Sequence, residues 1–464
     1  MTDPLEGALR AAGQEHAWDR LAASGPDAQR ALRAQLEAID LDLLDELRAL
    51  VARPVALAGD ARFEPTDVFP LRKGPEEERE SVAAIAAGRE LLAAGKVGFV
   101  LVAGGQASRL GYDGPKGAFP VGPVTSRTLF AIHAARLNRL ARDHGVRVPW
   151  YVMTSPANDA RTKEVFEEAD FFGLRRDDVV FFQQDMLPAL DTEGRILFSG
   201  PDSLFLAPNG HGGVLLGLRS SGALDDMQAR GIEELSYFQV DNPLVRPVDS
   251  LFLGLHARAG AGMSSKVVAK RDAGEKVGVI GRMDGKLGCI EYSDLPAELR
   301  EQREADGSLT FGAGNVAVHV LRRDFVETVT AGELKLPWHV ARKQMKVVDA
   351  AGEPDEVTGF KFETFVFDAL AASERSVTLE VDRRHEFSPV KNAAGEDSPE
   401  SCRRDLCALF GGWVRKAGLA LPEAGADGLH AVEVDPLYAE TEEEFLARGS
   451  HAAQESEHGH FYGG

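Results

Sequence analysis

The stretch from residue 97 to 122, VGFVLVAGGQASRLGYDGPKGAFPVG, constrains this chain more than any other. Val97–Val102 is a short apolar run rich in β-branched residues, which predicts a buried strand. It runs straight into Ala103, Gly104 and Gly105. Glycines at a strand end let a ligand approach the backbone with no Cβ in the way. Arg109 and Lys116 follow, with Gly114 and Pro115 just before the lysine. Backbone N–H groups plus two cations suit a nucleoside triphosphate, whose several negative charges must be met together. Neither common phosphate-loop pattern is present. G-x-x-x-x-G-K-[ST] needs a hydroxyl residue where Gly117 stands, and G-x-G-x-x-G is not matched at Gly104 and Gly105.

Strand patterns at 97–102, 149–153, 179–183, 236–240 and 266–270 alternate with helical patterns such as 128–144 and 158–168. Such alternation predicts an α/β fold with a mostly parallel central sheet and helices on both faces. Ligands of open α/β sheets bind outside the carboxyl ends of the strands. Before this region the chain reads as helical. Leu32, Leu36, Ile39, Leu43, Leu47 and Leu50 make one apolar stripe at helical spacing, and Pro54 ends it. A second helix is expected over 76–94, acidic at its start as the helix dipole favours, with Gly95 as its stop. Beyond the central region, Ser398 opens a helix pattern running to Lys416, and the remaining acidic, glycine-rich chain with His451, His458 and His460 reads as a frayed tail. The expected organisation is a helical segment over 1–95, a central domain over 96–383, and a C-terminal domain and tail over 384–464.

Composition narrows the partners. The net charge of −21 argues against nucleic acid and means that an anionic substrate must be met by local cations. Three scattered cysteines, Cys289, Cys402 and Cys407, make neither a disulfide framework nor a zinc site. No apolar run reaches membrane-spanning length, and the first residues lack the pattern of a signal peptide, so a cytoplasmic protein without a membrane partner is expected.

Further candidates fall where strands end. Asp241 follows the run 236–240, where a carboxylate beside a triphosphate can hold Mg²⁺ through one or two oxygens. An aspartate before Pro243 also serves as an ordinary turn residue. Gln183 and Gln184 follow another strand, and either amide offers the paired donor and acceptor that a uracil edge needs. Gly210, His211, Gly212 and Gly213 precede a helix pattern, a second place where an anion or carbonyl can meet backbone N–H groups.

The run L-x-x-G-G-x-x-S-R-L-G followed by P-K-G resembles the signature of the eukaryotic-type UDP-sugar pyrophosphorylases. Ordered matches continue through Trp150-Tyr151, Val240-Asp241-Asn242, Glu291-Tyr292-Ser293, Gly314-Asn315, Lys361 to Asp368, and Glu386-Phe387-Ser388-Pro389-Val390-Lys391-Asn392. Within that family the chain is most similar to the UDP-N-acetylglucosamine pyrophosphorylases. The resemblance covers roughly 96–415 and implies a Rossmann-like, GT-A-like nucleotidyltransferase fold. It implies a uridylyltransferase that joins UTP and N-acetylglucosamine 1-phosphate into UDP-N-acetylglucosamine and pyrophosphate. Arg109, Lys116 and Lys391 would serve the phosphates, and Ala103, Gly104 and Gly105 the nucleotide. Gln184 would read the base, Gly210 and His211 would line the nucleotide side, and Glu291, Asn315 and Phe365 the sugar side. Asp241 would hold Mg²⁺, with Mn²⁺ as an alternative, and the enzyme would be a monomer or homodimer. His319 is expected to be structural and Phe367 to be core. His211 stands where the N-acetylglucosamine branch has asparagine and resembles the UDP-glucose branch. Gly312 and Val318 also depart from the pattern around Asn315. A UDP-glucose or broad-specificity pyrophosphorylase is therefore the alternative, and a non-catalytic UDP-sugar-binding protein a third reading.

Overall fold

A computed structural model describes residues 3–52, 61–332, 336–349, 352–448 and 453–463. Pro54 and His451 lie outside the described residues. Contacts group the chain into two compact units built from interleaved segments. One comprises 1–60, 184–213 and 335–368; the other comprises 61–183, 214–334 and 369–464.

The smaller unit opens with four helices, α1 (Pro4–Ala11), α2 (Glu15–Ala23), α3 (Pro26–Glu37) and α4 (Leu41–Ala52). The leucine stripe therefore belongs to two helices and not to one. The break falls where Asp40 turns its carboxylate onto the Leu43 N–H at 3.0 Å, a local alternative to the helical bond that aspartate favours. Leu32 and Leu36 on α3 and Leu44 and Leu47 on α4 are buried with Leu187, Ile196, Phe198 and Phe362, so the N-terminal helices share a core with segments far along the chain. An antiparallel hairpin, His339–Val348 with Pro354–Glu363, extends to Leu190–Asp191 in this unit.

The larger unit holds a ten-stranded mixed sheet. Its strands are β1 (Phe63–Pro65), β2 (Val97–Val102), β3 (Trp150–Thr154), β4 (Val179–Gln183), β5 (Glu234–Gln239), β6 (Met263–Ala269), β7 (Val279–Met283), β8 (Lys286–Ile290), β9 (Ala313–Arg322) and β10 (Thr378–Glu380). The order is β1-β7-β9-β5-β2-β3-β4, with β6 beside β9 and β10, and β8 beside β7. Strands β5, β2, β3 and β4 are parallel, while β9 runs antiparallel to β5 and β6 antiparallel to β9. Strands β2, β3 and β5 are buried on both faces, which is why they read as near-continuous apolar runs. Strands β7 and β8 form an antiparallel hairpin, and Glu291, Tyr292 and Ser293 lie just beyond it.

Helices α5 (Pro75–Ala93), α6 (Leu129–His144), α7 (Asp159–Glu168), α8 (Gly213–Ser220), α9 (Ser250–Ala259) and α10 (Pro399–Lys416) complete the framework. Thr128 caps α6, and Ser398 with Ser401 forms a capping box at α10. The described residues 453–463 are not frayed. Gly459–Tyr462 pairs in parallel with Val432–Val434 and antiparallel with Gln454–Ser456, and Tyr462 is 2% exposed against Trp413, Val434 and Phe445. The alternating Phe461 and Tyr462 hide in a strand so short that composition outweighs its pattern.

Candidate active site

The four parallel strands deliver their carboxyl ends to one edge of the sheet. There Ala103 N–H donates to the Met153 carbonyl at 2.8 Å, and Val240 N–H to the Val102 carbonyl at 3.1 Å. The glycine-bearing loop after β2 folds back on itself: Ala107 N–H donates to the Gly114 carbonyl at 3.0 Å and Lys116 N–H to the Gly105 carbonyl at 3.0 Å. Its carbonyls are held from below. Asn158 Nδ2 donates to the carbonyls of Ala103 (2.8 Å) and Gly105 (3.2 Å), and Ser155 Oγ to that of Gly104 (2.8 Å). Both side chains are buried, and Asn158 Oδ1 accepts from Ser155 N–H at 2.9 Å. Gly105 is exposed, and an added Cβ would meet nothing nearer than the Lys116 side chain at 4.0 Å. The lack of a side chain there is no packing requirement of the chain itself and leaves the backbone open to approach. Gly117 is the opposite case: a Cβ would stand 2.2 Å from the Phe130 ring.

Lys116 Nζ lies 3.1 Å from Asp241 Oδ2, and both side chains are mostly buried. Arg109 sits on the short helical turn 108–110, exposed and with no ion pair to a described carboxylate. Lys391 is exposed too, its ammonium 5.6 Å from the Phe387 ring centre. The neighbouring backbone joins it to the strand end, because Val390 N–H donates to the Asp241 carbonyl at 2.9 Å. Asn242 bridges the same two segments: its Nδ2 donates to the Glu386 carbonyl (2.7 Å) and its Oδ1 accepts from Ser388 N–H (3.1 Å). A small cavity is lined by Asp241, Asn315, Ala317, Phe387 and Lys391, so the predicted metal carboxylate, one sugar-side residue and one cation share a wall. Asn315 is braced there, with Oδ1 accepting from Ala317 N–H at 3.0 Å and Nδ2 3.7 Å from Cys289 Sγ. Glu291 follows β8, with Oε1 3.5 Å from where a Cβ on Gly278 would stand. His319 is fully buried, with Nδ1 3.0 Å from Ser265 Oγ, and is structural as expected.

The remaining predicted residues lie in the smaller unit. Gln184 is buried there, whereas Gln183 ends β4 in the larger unit and is exposed. Gly210 has φ +81, and a Cβ would stand 2.3 Å from the Thr364 carbonyl oxygen. That approach binds the loop 209–212 to 364–366: Thr364 N–H donates to the Asn209 carbonyl at 2.8 Å, and Gly212 N–H to the Thr364 carbonyl at 2.8 Å. His211 Nδ1 accepts from Val366 N–H at 3.2 Å, and its ring stacks on Phe365 at 5.1 Å. Burial, reinforced by nearby His339, lowers the His211 pKa to about 4, so the imidazole is neutral and its Nε2 carries the proton. Phe365 also packs on His339, whose Nε2 lies 2.9 Å from Asp368 Oδ2.

A family model described as UTP–glucose-1-phosphate uridylyltransferase matches residues 62–397. The chain belongs to this family. Among curated relatives of this uridylyltransferase-family chain, a UDP-N-acetylhexosamine pyrophosphorylase-like protein 1 of Mus musculus is 37% identical over 431 residues, 88% of this chain and 85% of the relative. The UDP-N-acetylglucosamine pyrophosphorylase of Saccharomyces cerevisiae is 36% identical over 348 residues, 71% and 72% of the two chains. The solved uridine diphosphate N-acetylglucosamine pyrophosphorylase of Trypanosoma brucei, in complex with an inhibitor, superposes with a TM-score of 0.78 over 96% of each chain at 27% identity.

Sequence reasoning missed the residues that hold these loops in place. Ser155 and Asn158 stand three apart just after a strand, a spacing that signals a side-chain-capped turn. His133 and Arg136 on α6 gave no such sign. His133 Nε2 donates to the Val240 carbonyl (3.0 Å) and Arg136 Nη2 to the Pro243 carbonyl (2.7 Å), on either side of Asp241 and Asn242. Burial drives the His133 pKa down to about 3, so it too is neutral.

Proposed function

We propose that this chain is a UTP–sugar-1-phosphate uridylyltransferase whose sugar is N-acetylglucosamine 1-phosphate. The observation that carries the reading is the juxtaposition of Lys116, Asp241 and the Lys391 segment beside the glycine loop at the carboxyl edge of the parallel strands. The names of the curated relatives and of the Trypanosoma brucei enzyme support the choice of sugar.

In this reading the sugar phosphate is already an anion at neutral pH, so no general base is needed. One of its oxygens attacks the α-phosphorus of UTP in line; the new P–O bond forms as the bond to the β-phosphate bridge breaks, and pyrophosphate leaves. The chain's task is placement and charge. Lys116 and Arg109 meet the triphosphate and the departing pyrophosphate, the backbone of Ala103–Gly105 meets the nucleotide, and Lys391 meets the sugar phosphate. Gln184, buried just after the strand, is the base reader that the resemblance assigns, its amide offering the paired donor and acceptor of a uracil edge. Gly210, His211, Glu291, Asn315 and Phe365 are the recognition residues that the resemblance assigns to nucleotide and sugar. A single strand-end carboxylate fits Mg²⁺, which keeps most of its shell for phosphate and water; Mn²⁺ is the alternative. Asp241 would hold the ion, which supplies charge neutralisation on the phosphoryl oxygens.

The test is pyrophosphate release from UTP with N-acetylglucosamine 1-phosphate, glucose 1-phosphate and galactose 1-phosphate in parallel. The highest kcat/KM is expected for the first. A preference for glucose 1-phosphate would move the chain to the UDP-glucose reading that His211 favours. UTP binding with no turnover of any of the three would make it a binding protein.

A further inference from the structure

The segment that leaves the lysine loop is gripped by a part of the chain beyond the family match. Glu433, on the short strand Val432–Val434, is 4% exposed. Its Oε2 accepts from the N–H groups of Val124 (2.9 Å) and Thr125 (2.8 Å), and its Oε1 from Thr125 Oγ1 (2.6 Å). Two residues further on, buried Asp435 pairs with Arg127 at 2.6 Å, and the Arg127 guanidinium lies 5.3 Å from the Phe461 ring centre. Gly122 makes room for the carboxylate, since a Cβ there would stand 3.0 Å from both Glu433 oxygens. One turn, 122–127, thus receives two acidic side chains from the C-terminal sheet.

The turn is rigidly joined to Lys116. Val121 and Gly122 N–H both donate to the Arg127 carbonyl, Leu129 N–H to the Phe119 carbonyl at 3.2 Å, and Phe119 N–H to the Lys116 carbonyl at 3.0 Å. Lys116 N–H then closes onto Gly105. A displacement of the turn has no slack segment in which to be absorbed before it reaches the lysine. A buried carboxylate is also an expensive way to gain stability alone, because its desolvation offsets most of what its bonds return. What three donors on one carboxylate do supply is a defined geometry.

We propose that Glu433 is a positioning residue for UTP binding: the C-terminal sheet sets the place of the lysine loop through the 122–127 turn. This rests on the reading that Lys116 serves the UTP phosphates. Glu433→Gln and the milder Thr125→Val, which removes only the hydroxyl bond, are compared with the parent by steady-state kinetics and by amide hydrogen exchange over 116–127. For Glu433→Gln, a rise of about tenfold in KM for UTP is expected, the scale of a lost bond to a charged group. KM for the sugar phosphate should change less than twofold, and exchange over 116–127 should quicken; Thr125→Val should show the same pattern at smaller size. An unchanged KM for UTP, or an equal rise in both KM values, overturns the proposal, and so does exchange that quickens across the whole chain. If Glu433→Gln does not fold, Thr125→Val alone decides by the same criteria. Lys116→Ala in the same assays separates the two ideas. If it binds and turns over UTP normally, the phosphate reading fails, whereas the exchange result reports on the brace itself.

Discussion

At the residue scale the charge pattern of the site is its main content. The chain carries 52 basic against 73 acidic residues, so in the proposed site Lys116, Arg109 and Lys391 would meet phosphates against the field of the whole protein. Lys116→Ala and Arg109→Ala are each expected to lower turnover by at least about 100-fold, the scale for a lost electrostatic partner of a transition state. Normal turnover in a folded variant would remove that residue from the mechanism. Asp241→Asn should lose activity that added Mg²⁺ restores only in part, and a parent enzyme fully active in a chelator would exclude the metal role. His211 makes a separate prediction, for stability. Its folded pKa is depressed below 6.5, to about 4. The contribution of the neutral ring is therefore complete above pH 6.5 and is lost as pH falls through about 4. Melting temperatures of the parent and His211→Gln, measured from pH 7.5 to 4, should converge toward the acid end. Parallel curves would show that the ring does not titrate as its burial requires.

At the element scale, two helices meet through glycine. Gly88 on α5 and Gly254 on α9 bring the backbones together so closely that a Cβ would stand 1.9 Å from the Ser250 carbonyl oxygen or 1.7 Å from that of Ala84. Neither neighbour is the end of a flexible side chain, so Gly254→Ala must push the helices apart. A loss of about 1–3 kcal/mol or more is expected in urea unfolding, the range for overpacking. An unchanged midpoint would mean that the helices are free to slide. The glycines looked unexceptional in the sequence because helix patterns record which face is apolar and not how near the partner comes. Element boundaries were legible where periodicity persisted: β2, β4, α6 and α10 fall within a residue of their expected ends. They were not legible where a side chain diverts the backbone, as Asp40 does between α3 and α4.

At the scale of the whole molecule, a buried charge cluster ties distant segments. Lys266 on β6 is 1% exposed, with Nζ 2.6 Å from Asp249 and 2.5 Å from Glu386. Asp249 caps α9, and Glu386 opens the segment that carries Lys391. Removing one partner leaves an uncompensated buried charge, so Lys266→Met should cost about 3–5 kcal/mol in chemical denaturation. A cost below about 1 kcal/mol would show the carboxylates reaching solvent without it. Among the described residues no helix is long and apolar enough to cross a membrane.

Strand identity, the glycine–cation loop, the strand-end aspartate and the family were all readable from the sequence, because each is written within a few neighbouring residues as periodicity, turn chemistry or an ordered motif. Long-range partnership was not. Asp241 and Lys391 are 150 positions apart and are brought to one cavity wall with the help of Val390 and Asn242, while Glu433 reaches back to Thr125 across 308. Leu32 finds Phe362 by sharing a core, not by any local signal. The cost of closing a loop grows only slowly with its length, so sequence distance hardly restricts which segments pair. Complementary surfaces make that choice, and those surfaces exist only once the chain is folded.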